Sequence, residues 1–258
     1  MTRLSFVLLL VLSFFCGNCL NISYQSPTTY GHSKKVIVHN IQNASVALVR
    51  ENSQNMVLPF CAGVWVSERE ILTARHCIDD LANPLSFLGI ELEATDEALK
   101  GKTVKYQTFN DFDHVSFPPA TSGSSEIRFA MIIAADDSTD LALLSVVEDV
   151  PHSIAAIGPS SEIYDGMDLL ILGHKAAHGW SLSPGVLSTT RLYEFDSKHT
   201  LLTYQISAPI WPGDSGGGAF DEHGRLIGLV SFIIPKVRDM SFIIHHDRIV
   251  DFLHKNLK

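Results

Sequence analysis

The chain has 258 residues, 46% of them apolar and 18% charged, with a formal net charge of −9. Such a composition supports a packed core in one large domain or two joined lobes and excludes wholesale disorder. An acidic chain without a Lys/Arg block also argues against nucleic-acid or anionic-membrane binding, since positive charge recruits those partners.

The N-terminus has the layout of an export signal. Met1-Thr2-Arg3 is a short positive segment, residues 4–15 are almost unbroken apolar sequence, and the small residues Gly17 and Cys19 flank a cleavage point near Leu20. The apolar run is short for a bilayer span. The expected organisation is a signal peptide over 1–19, a polar leader or short pro-segment over 20–35, and a secreted or periplasmic domain over 36–258 with no stable membrane span. Of the four cysteines, Cys16 and Cys19 fall in the signal. Cys61 and Cys77 remain, and in an exported protein that pair reads as one disulfide. The histidines are scattered. The one adjacent pair, His245-His246, would face opposite sides of a strand. No Cys/His spacing suits a metal, so neither metal nor cofactor is expected.

Short stretches of β character then follow one another at 36–38, 46–49, 63–66, 70–73, 127–133, 141–147, 169–172, 201–207, 225–234 and 241–244, separated by Pro, Gly, Asn and Asp. Many short strands without regular intervening helices predict an all-β fold. Residues 91–100 contain helix formers, and 109–125 is a Pro/Gly/Ser-rich loop. A terminal helix is predicted over 247–256, with Ile249, Val250, Phe252 and Leu253 on one face and Asp247 as its cap. Lobes of about 36–150 and 159–246 would meet at a linker near 150–159.

Three segments carry chemistry. Pro212-Gly213-Asp214-Ser215-Gly216-Gly217-Gly218 seats a serine among glycines. A serine nucleophile needs an open seat and a nearby base, and glycines let backbone N–H groups turn toward a developing oxyanion. Read alone, the segment is also a glycine-rich turn. Ile71-Leu72-Thr73-Ala74-Arg75-His76-Cys77 places a histidine after a buried strand, beside a cysteine that a Cys61 bridge would pin. Asp140 stands at the mouth of the apolar run Leu141-Ala142-Leu143-Leu144, where it could hydrogen-bond a histidine and fix its tautomer. The competing acids Asp111, Asp113, Asp136 and Asp137 lie in polar runs that suit solvated roles.

Taken in order, CAGVWVS…ILTARHC, STDLALL, PGDSGGGAF and RLIGLVSF resemble the chymotrypsin/trypsin family of serine endopeptidases. Histidine, then aspartate, then serine is that family's chain order and not that of the subtilisins or α/β-hydrolases. The resemblance implies two packed six-stranded β-barrels with a C-terminal helix and a cleft between them. It implies His76 as general base, Asp140 as its orienting acid, Ser215 as nucleophile, and the N–H groups of Gly213 and Ser215 as the oxyanion hole. Ser231 falls where the family keeps a serine near the triad aspartate, with Phe232 and Ile233 lining the substrate cleft. The substrate would be a protein or peptide and the enzyme a monomer.

Three departures stand out. Arg75 replaces a small residue before the histidine, and either weakens the imidazolium or points to solvent. Trp211 replaces a cysteine, so the family's bridge across the specificity pocket is missing. Pro209, followed by Ile210, occupies the pocket floor where trypsin-like members keep an aspartate, and Val230 stands where glutamate-preferring members carry histidine. The resemblance therefore implies small or medium apolar residues on the acyl side of the cut. In the family's zymogens a new N-terminus pairs with the acid before the nucleophile, here Asp214. Lys34-Lys35 before Val36 offers one such cut, although the glycines that usually follow are absent. Internal pairing of Asp214 is the other possibility. A catalytically inactive binding protein on the same fold is the alternative function.

Overall fold

The computed structural model describes residues 34–51, 57–82, 96–111, 127–175, 178–194, 200–234 and 240–257. The signal, the leader before Lys34 and most of the 109–125 loop lie outside the described residues. Among those described, twelve strands close into two antiparallel six-stranded barrels. The first contains β1 (Ser45–Glu51), β2 (Val57–Trp65), β3 (Glu70–Ala74), β4 (Thr103–Thr108), β5 (Arg128–Asp136) and β6 (Leu141–Val146), ordered β1-β2-β3-β6-β5-β4. The second contains β7 (Asp168–His174), β8 (Trp180–Glu194), β9 (Thr200–Ser207), β10 (Gly218–Phe220), β11 (Leu226–Ile233) and β12 (Ser241–Ile244), ordered β10-β11-β12-β9-β8-β7. Helix α1 (Lys34–Asn43) precedes the first barrel, α2 (His76–Ala82) and α3 (Asp96–Leu99) follow β3, and α4 (His246–Asn256) ends the chain. The all-β expectation of two six-stranded barrels and a terminal helix holds.

The apolar runs are explained by strands buried on both faces. In β6, Ala142, Leu144 and Val146 point into the first barrel with Trp65, Ile71 and Tyr106. The alternate residues Leu141 and Leu143 face a second core containing Leu172, Phe220, Leu229 and Ile249. In β11, Ile227 and Val230 fill the second barrel while Leu226 and Leu229 join the shared core. In β6, alternation with period two thus produces a continuous apolar sequence where both faces are covered, and in β11 a register shift between Gly228 and Leu226 offsets the alternation. Each such Leu or Ile contributes about 1.5–3 kcal/mol by leaving water. The shared core holds β3, β6 and β11 together, and these strands carry the site.

Two expectations are corrected. Residues 36–38 are not a strand but lie within α1. Ile37 and Ile41, one helical turn apart, share a face, and Ile41 is buried in the shared core with Ile37 packed against it. That packing overrides the β propensity of Val36-Ile37-Val38, and the first barrel begins at Ser45. Helix α4 starts at His246 rather than Asp247, and its cap is His245, whose Nδ1 accepts the Asp247 N–H at 3.2 Å. Residues 91–95 lie outside the described residues, and within the 91–100 run of helix formers Asp96–Leu99 is helical. Finally, β4, β8 and β10 were not legible as strands. In β8, Pro184 pairs with Leu170 of β7, and the β9 register begins only at Val186, so proline sits where one neighbour suffices.

Candidate active site

Strands β3 and β6 are antiparallel partners, with Ala74 opposite Leu141. His76 lies two residues beyond Ala74 and Asp140 one residue before Leu141, so the register delivers imidazole and carboxylate to one corner. Asp140 has φ +55°, a left-handed conformation that aspartate tolerates better than most residues. Its main-chain oxygen accepts the Arg75 N–H at 2.9 Å. His76 Nδ1 lies 3.0 Å from both carboxylate oxygens, and the His76 backbone N–H donates to Oδ1 at 3.0 Å. Ser231 Oγ, at a β11 position 4% exposed, donates to Oδ2 at 2.6 Å. With the Nδ1 proton on the carboxylate side, Nε2 keeps the lone pair a general base needs.

The electrostatics follow. Burial works to raise the Asp140 carboxyl, but the His76 charge and the bonds from His76 and Ser231 outweigh it and hold it below the usual carboxylate value. Although 42% of the His76 side chain is exposed, desolvation in the cleft is the largest influence on the ring and lowers its pKa. The charge and hydrogen bond of Asp140, helped by Asp79, exceed that effect and leave His76 above its ordinary value. Arg75 pulls the other way, more weakly.

Arg75 neither points to solvent nor dominates the imidazole. It is 5% exposed and bonds Asp79 at 2.5 Å and Asp96 at 2.9 Å, with Asp137 at 3.4 Å. The guanidinium thereby ties α2 and α3 to the turn that precedes Asp140. Asp137 is exposed, as its polar run predicts, and meets this cluster at its solvent edge. Burial pushes the Asp79 carboxyl up to about 6, against the charge of Arg75. Cys61 and Cys77 form the expected disulfide, which fixes the start of α2 to β2. His76 and these two sulfurs lie within 4.8 Å of one another, but both sulfurs are spent in the bridge and no thiolate remains to bind a metal.

Ser215 reaches this corner from the second barrel. Its main-chain oxygen accepts the Ala62 N–H at 2.8 Å, and Thr73 Oγ1 donates to the Ala62 oxygen at 2.7 Å. Gly216 makes the approach possible: a Cβ there would lie 2.3 Å from the Ala62 oxygen and 2.4 Å from Thr73 Oγ1. Ser215 Oγ donates to the Ser231 oxygen at 3.3 Å. Ser231 therefore touches both partners, holding Asp140 through its side chain and Ser215 through its backbone.

A family model described as a trypsin-like peptidase domain matches residues 61–229. The chain belongs to that family. Residues 61–229 are accordingly a trypsin-like peptidase domain. Among curated proteins, an HtrA-like serine protease of Staphylococcus epidermidis is 31% identical over 136 residues, covering 48% of this chain and 23% of that protein. A Staphylococcus aureus HtrA-like serine protease is 30% identical over 125 residues, covering 44% of this chain and 16% of that protein. The chain thus matches less than a quarter of either relative's length. Among solved structures, the HtrA-type protease AlgW with a tripeptide superposes with TM-score 0.62 at 20% identity, covering 86% of this chain and 63% of that one. The active form of the Rv3671c protease from M. tuberculosis gives 0.62 at 17% identity, covering 86% and 84%. At these identities the structures establish the fold.

In this trypsin-like peptidase domain the turn before Ser215 is closed by the Asp214 N–H donating to the Trp211 oxygen at 3.0 Å, with Gly213 at φ +99°. Asp214 Oδ2 in turn accepts the Trp211 N–H at 2.9 Å. Among the described residues, no backbone acceptor takes the N–H of Gly213 or Ser215. Pro209 is exposed, whereas Ile210 is buried in the core of the second barrel, so its side chain serves packing rather than an open pocket floor. Phe232 stacks on Phe242 with centroids 4.6 Å apart and meets Tyr193 at 4.8 Å. Ile233 stays exposed. No helix among the described residues is long and apolar enough to cross a membrane.

Proposed function

We propose that the chain is an exported endopeptidase in which Ser215, His76 and Asp140 act as the catalytic triad. The observation that carries the reading is the Asp140 carboxylate, which accepts from the His76 ring, the His76 backbone and Ser231 at once. Such a cluster has one evident use, to hold a neutral imidazole with its Nε2 lone pair free and then stabilise it when protonated.

In the proposed reaction, His76 Nε2 takes the proton of Ser215 Oγ as that oxygen bonds to the scissile carbonyl carbon. The negative charge passes to the carbonyl oxygen, where the N–H groups of Gly213 and Ser215 receive it; each such donor is worth about 3 kcal/mol in the transition state. His76 then gives its proton to the departing amine, leaving an acyl-enzyme on Ser215. Water repeats the sequence with the same base, and Asp140 stays ionised throughout. Ser215 Oγ must first leave the Ser231 oxygen, a rotation about its Cα–Cβ bond. Such catalytic bonds commonly form only with substrate in place. That resting contact is also what would favour the alternative, an inactive binding protein on this fold.

A small or medium apolar residue on the acyl side suits a site whose Pro209, Phe232 and Ile233 offer no charge. Discrimination would be broad, since one misfit methylene is worth only about 1–3 kcal/mol. The test is hydrolysis of a mixed peptide library by the purified chain and by Ser215→Ala. Cleavage after Ala, Val or Leu that disappears in the variant is the expected result. Efficient cleavage after Arg or Lys would overturn the specificity, and unchanged hydrolysis by Ser215→Ala would overturn the triad.

A further inference from the structure

Arg75 stands where the resemblance leads one to expect a small residue, and no step above uses it. Its guanidinium is buried, at 6% side-chain exposure. A cation taken out of water needs partners that hold it closely. Nη1 meets Asp79 Oδ1 at 2.5 Å, one turn along α2, and Asp137 Oδ1 at 3.4 Å, while Nε donates to Asp96 Oδ1 at 2.9 Å. Acids from α2, from α3 and from the turn at 137–140 thus converge on one planar fork, a geometry that lysine does not reproduce.

Asp96 extends the cluster to the backbone. Its second oxygen, Oδ2, accepts the Asp137 N–H at 3.2 Å. Within the turn, the Asp140 N–H donates to the Asp137 oxygen at 3.3 Å, and the Asp140 oxygen takes the Arg75 N–H at 2.9 Å. These contacts close a circuit. It runs from the Arg75 side chain through Asp96 to Asp137, along the turn to Asp140, and back to the Arg75 main chain. The circuit thus joins the residue before His76 to the acid that faces its ring. Asp140 is the one non-glycine residue with positive φ among the described residues, and a conformation of that kind persists only where its surroundings hold it. The outer end of the circuit is anchored, because Leu99 at the end of α3 is fully buried in the core of the first barrel.

Two other uses of Arg75 fit this geometry less well. A buried guanidinium whose fork is occupied cannot meet a substrate carboxylate without leaving its partners. A charge acting directly on the imidazole is opposed at its source. Burial and Asp140 dominate the His76 ring, while Asp79 raises its pKa and Arg75 lowers it, so the two charges of this ion pair work against each other.

We infer that Arg75 is a positioning residue for the His76–Asp140 pair, acting through Asp96 and the 137–140 turn to keep the Asp140 carboxylate against Nδ1. The inference rests on the endopeptidase reading for its catalytic consequence but not for its geometry. Arg75 touches neither substrate nor the reacting atoms. Ser231 and the His76 N–H hold the carboxylate itself, whereas the circuit holds the backbone that carries it. With the circuit cut, Asp140 is free to turn from Nδ1, and the ring loses the partner that fixes its tautomer.

The experiment compares the full chain with Arg75→Met, Arg75→Lys and Asp96→Asn, each held well below its unfolding temperature and checked for native circular dichroism. Proton NMR of the His76 Nδ1–H, assigned by its absence in His76→Ala, reads the bond to Asp140 without substrate. Hydrolysis of a peptide reads the consequence. An amide at 96 has one acceptor oxygen, so Asp96→Asn must break one link of the circuit. Arg75→Met and Asp96→Asn should lose the Nδ1–H resonance to exchange with water and lower kcat by about ten- to hundredfold, the scale of a misplaced catalytic group. KM should stay within about threefold, since ground-state binding is untouched. Arg75→Lys keeps the charge without the fork and should resemble Arg75→Met rather than wild type. Full recovery in Arg75→Lys would show that charge alone acts and would overturn the inference. An Nδ1–H signal unchanged in Asp96→Asn also overturns it, and decides the matter if Arg75→Met does not fold. So does a loss of activity confined to KM. A wild type without peptidase activity whose Nδ1–H signal still vanishes in Asp96→Asn defeats the functional reading and leaves the positioning in place.

Discussion

Ser231→Ala removes the 2.6 Å donor to Asp140 Oδ2 and leaves the Ser231 oxygen that holds Ser215 Oγ. Ser231 is 4% exposed and the Asp140 side chain 16%, so water does not readily replace the lost hydroxyl. A hydrogen bond to a charged group contributes about 1.5–3 kcal/mol. Without that donor, the Asp140 carboxyl should rise toward its ordinary value. Its folded value is depressed, so its stabilising effect is present above the ordinary carboxylate pKa and lost as pH falls through the folded value. The variant should therefore lose about 1.5–3 kcal/mol in denaturant unfolding at pH 8, and progressively less as pH falls through the folded value of Asp140. With one donor fewer, the carboxylate charge bears more on the ring. The acidic limb of kcat/KM should move to higher pH, while its plateau falls by less than about tenfold. A stability loss under about 0.5 kcal/mol at pH 8, or a limb that moves to lower pH, would refute the reasoning.

Wild-type kcat/KM should fall as pH drops through a value above the ordinary histidine pKa of about 6.5, because Asp140 raises His76 and the ring must be neutral to act as base. A limb centred well below that value would contradict this. Asp140→Asn should keep the fold by circular dichroism and lower kcat by about 10⁴, through loss of the tautomer with Nε2 free. Gly173→Ala would push a methyl to 2.2 Å from Asp214 Oδ1. It should cost about 1–3 kcal/mol in thermal unfolding and slow hydrolysis. A variant equal to wild type in both would mean Asp214 is not seated on β7.

What was legible in the sequence was what leaves a local mark. Leu141-Ala142-Leu143-Leu144 and Leu226-Ile227 through Val230 read as strands because both faces are buried, and their ends position Asp140 and Ser231. The order of His76, Asp140 and Ser215 was visible because each sits beside a run of fixed composition. What stayed hidden depends on partners distant in sequence. Val36-Ile37-Val38 favours a strand locally, and only the packing of Ile37 and Ile41 on the shared core makes it helical. Strand β8 is rich in Ser and Thr and carries Pro184, so its pairing with β7 and β9 left no apolar alternation to read. For Arg75 the sequence left open a role toward the imidazole or toward solvent, because the acids that hold it come largely from α3 and the turn before Asp140.

The central claim, that Ser215 is activated by the His76–Asp140 pair, is tested most directly by reaction with a fluorophosphonate followed by peptide mapping. An activated serine attacks phosphorus where an ordinary hydroxyl does not. The account predicts one adduct, on the peptide containing Ser215, absent in Ser215→Ala and formed orders of magnitude more slowly in His76→Ala. No adduct on the folded wild type, or an adduct that persists at full rate in His76→Ala, would contradict it.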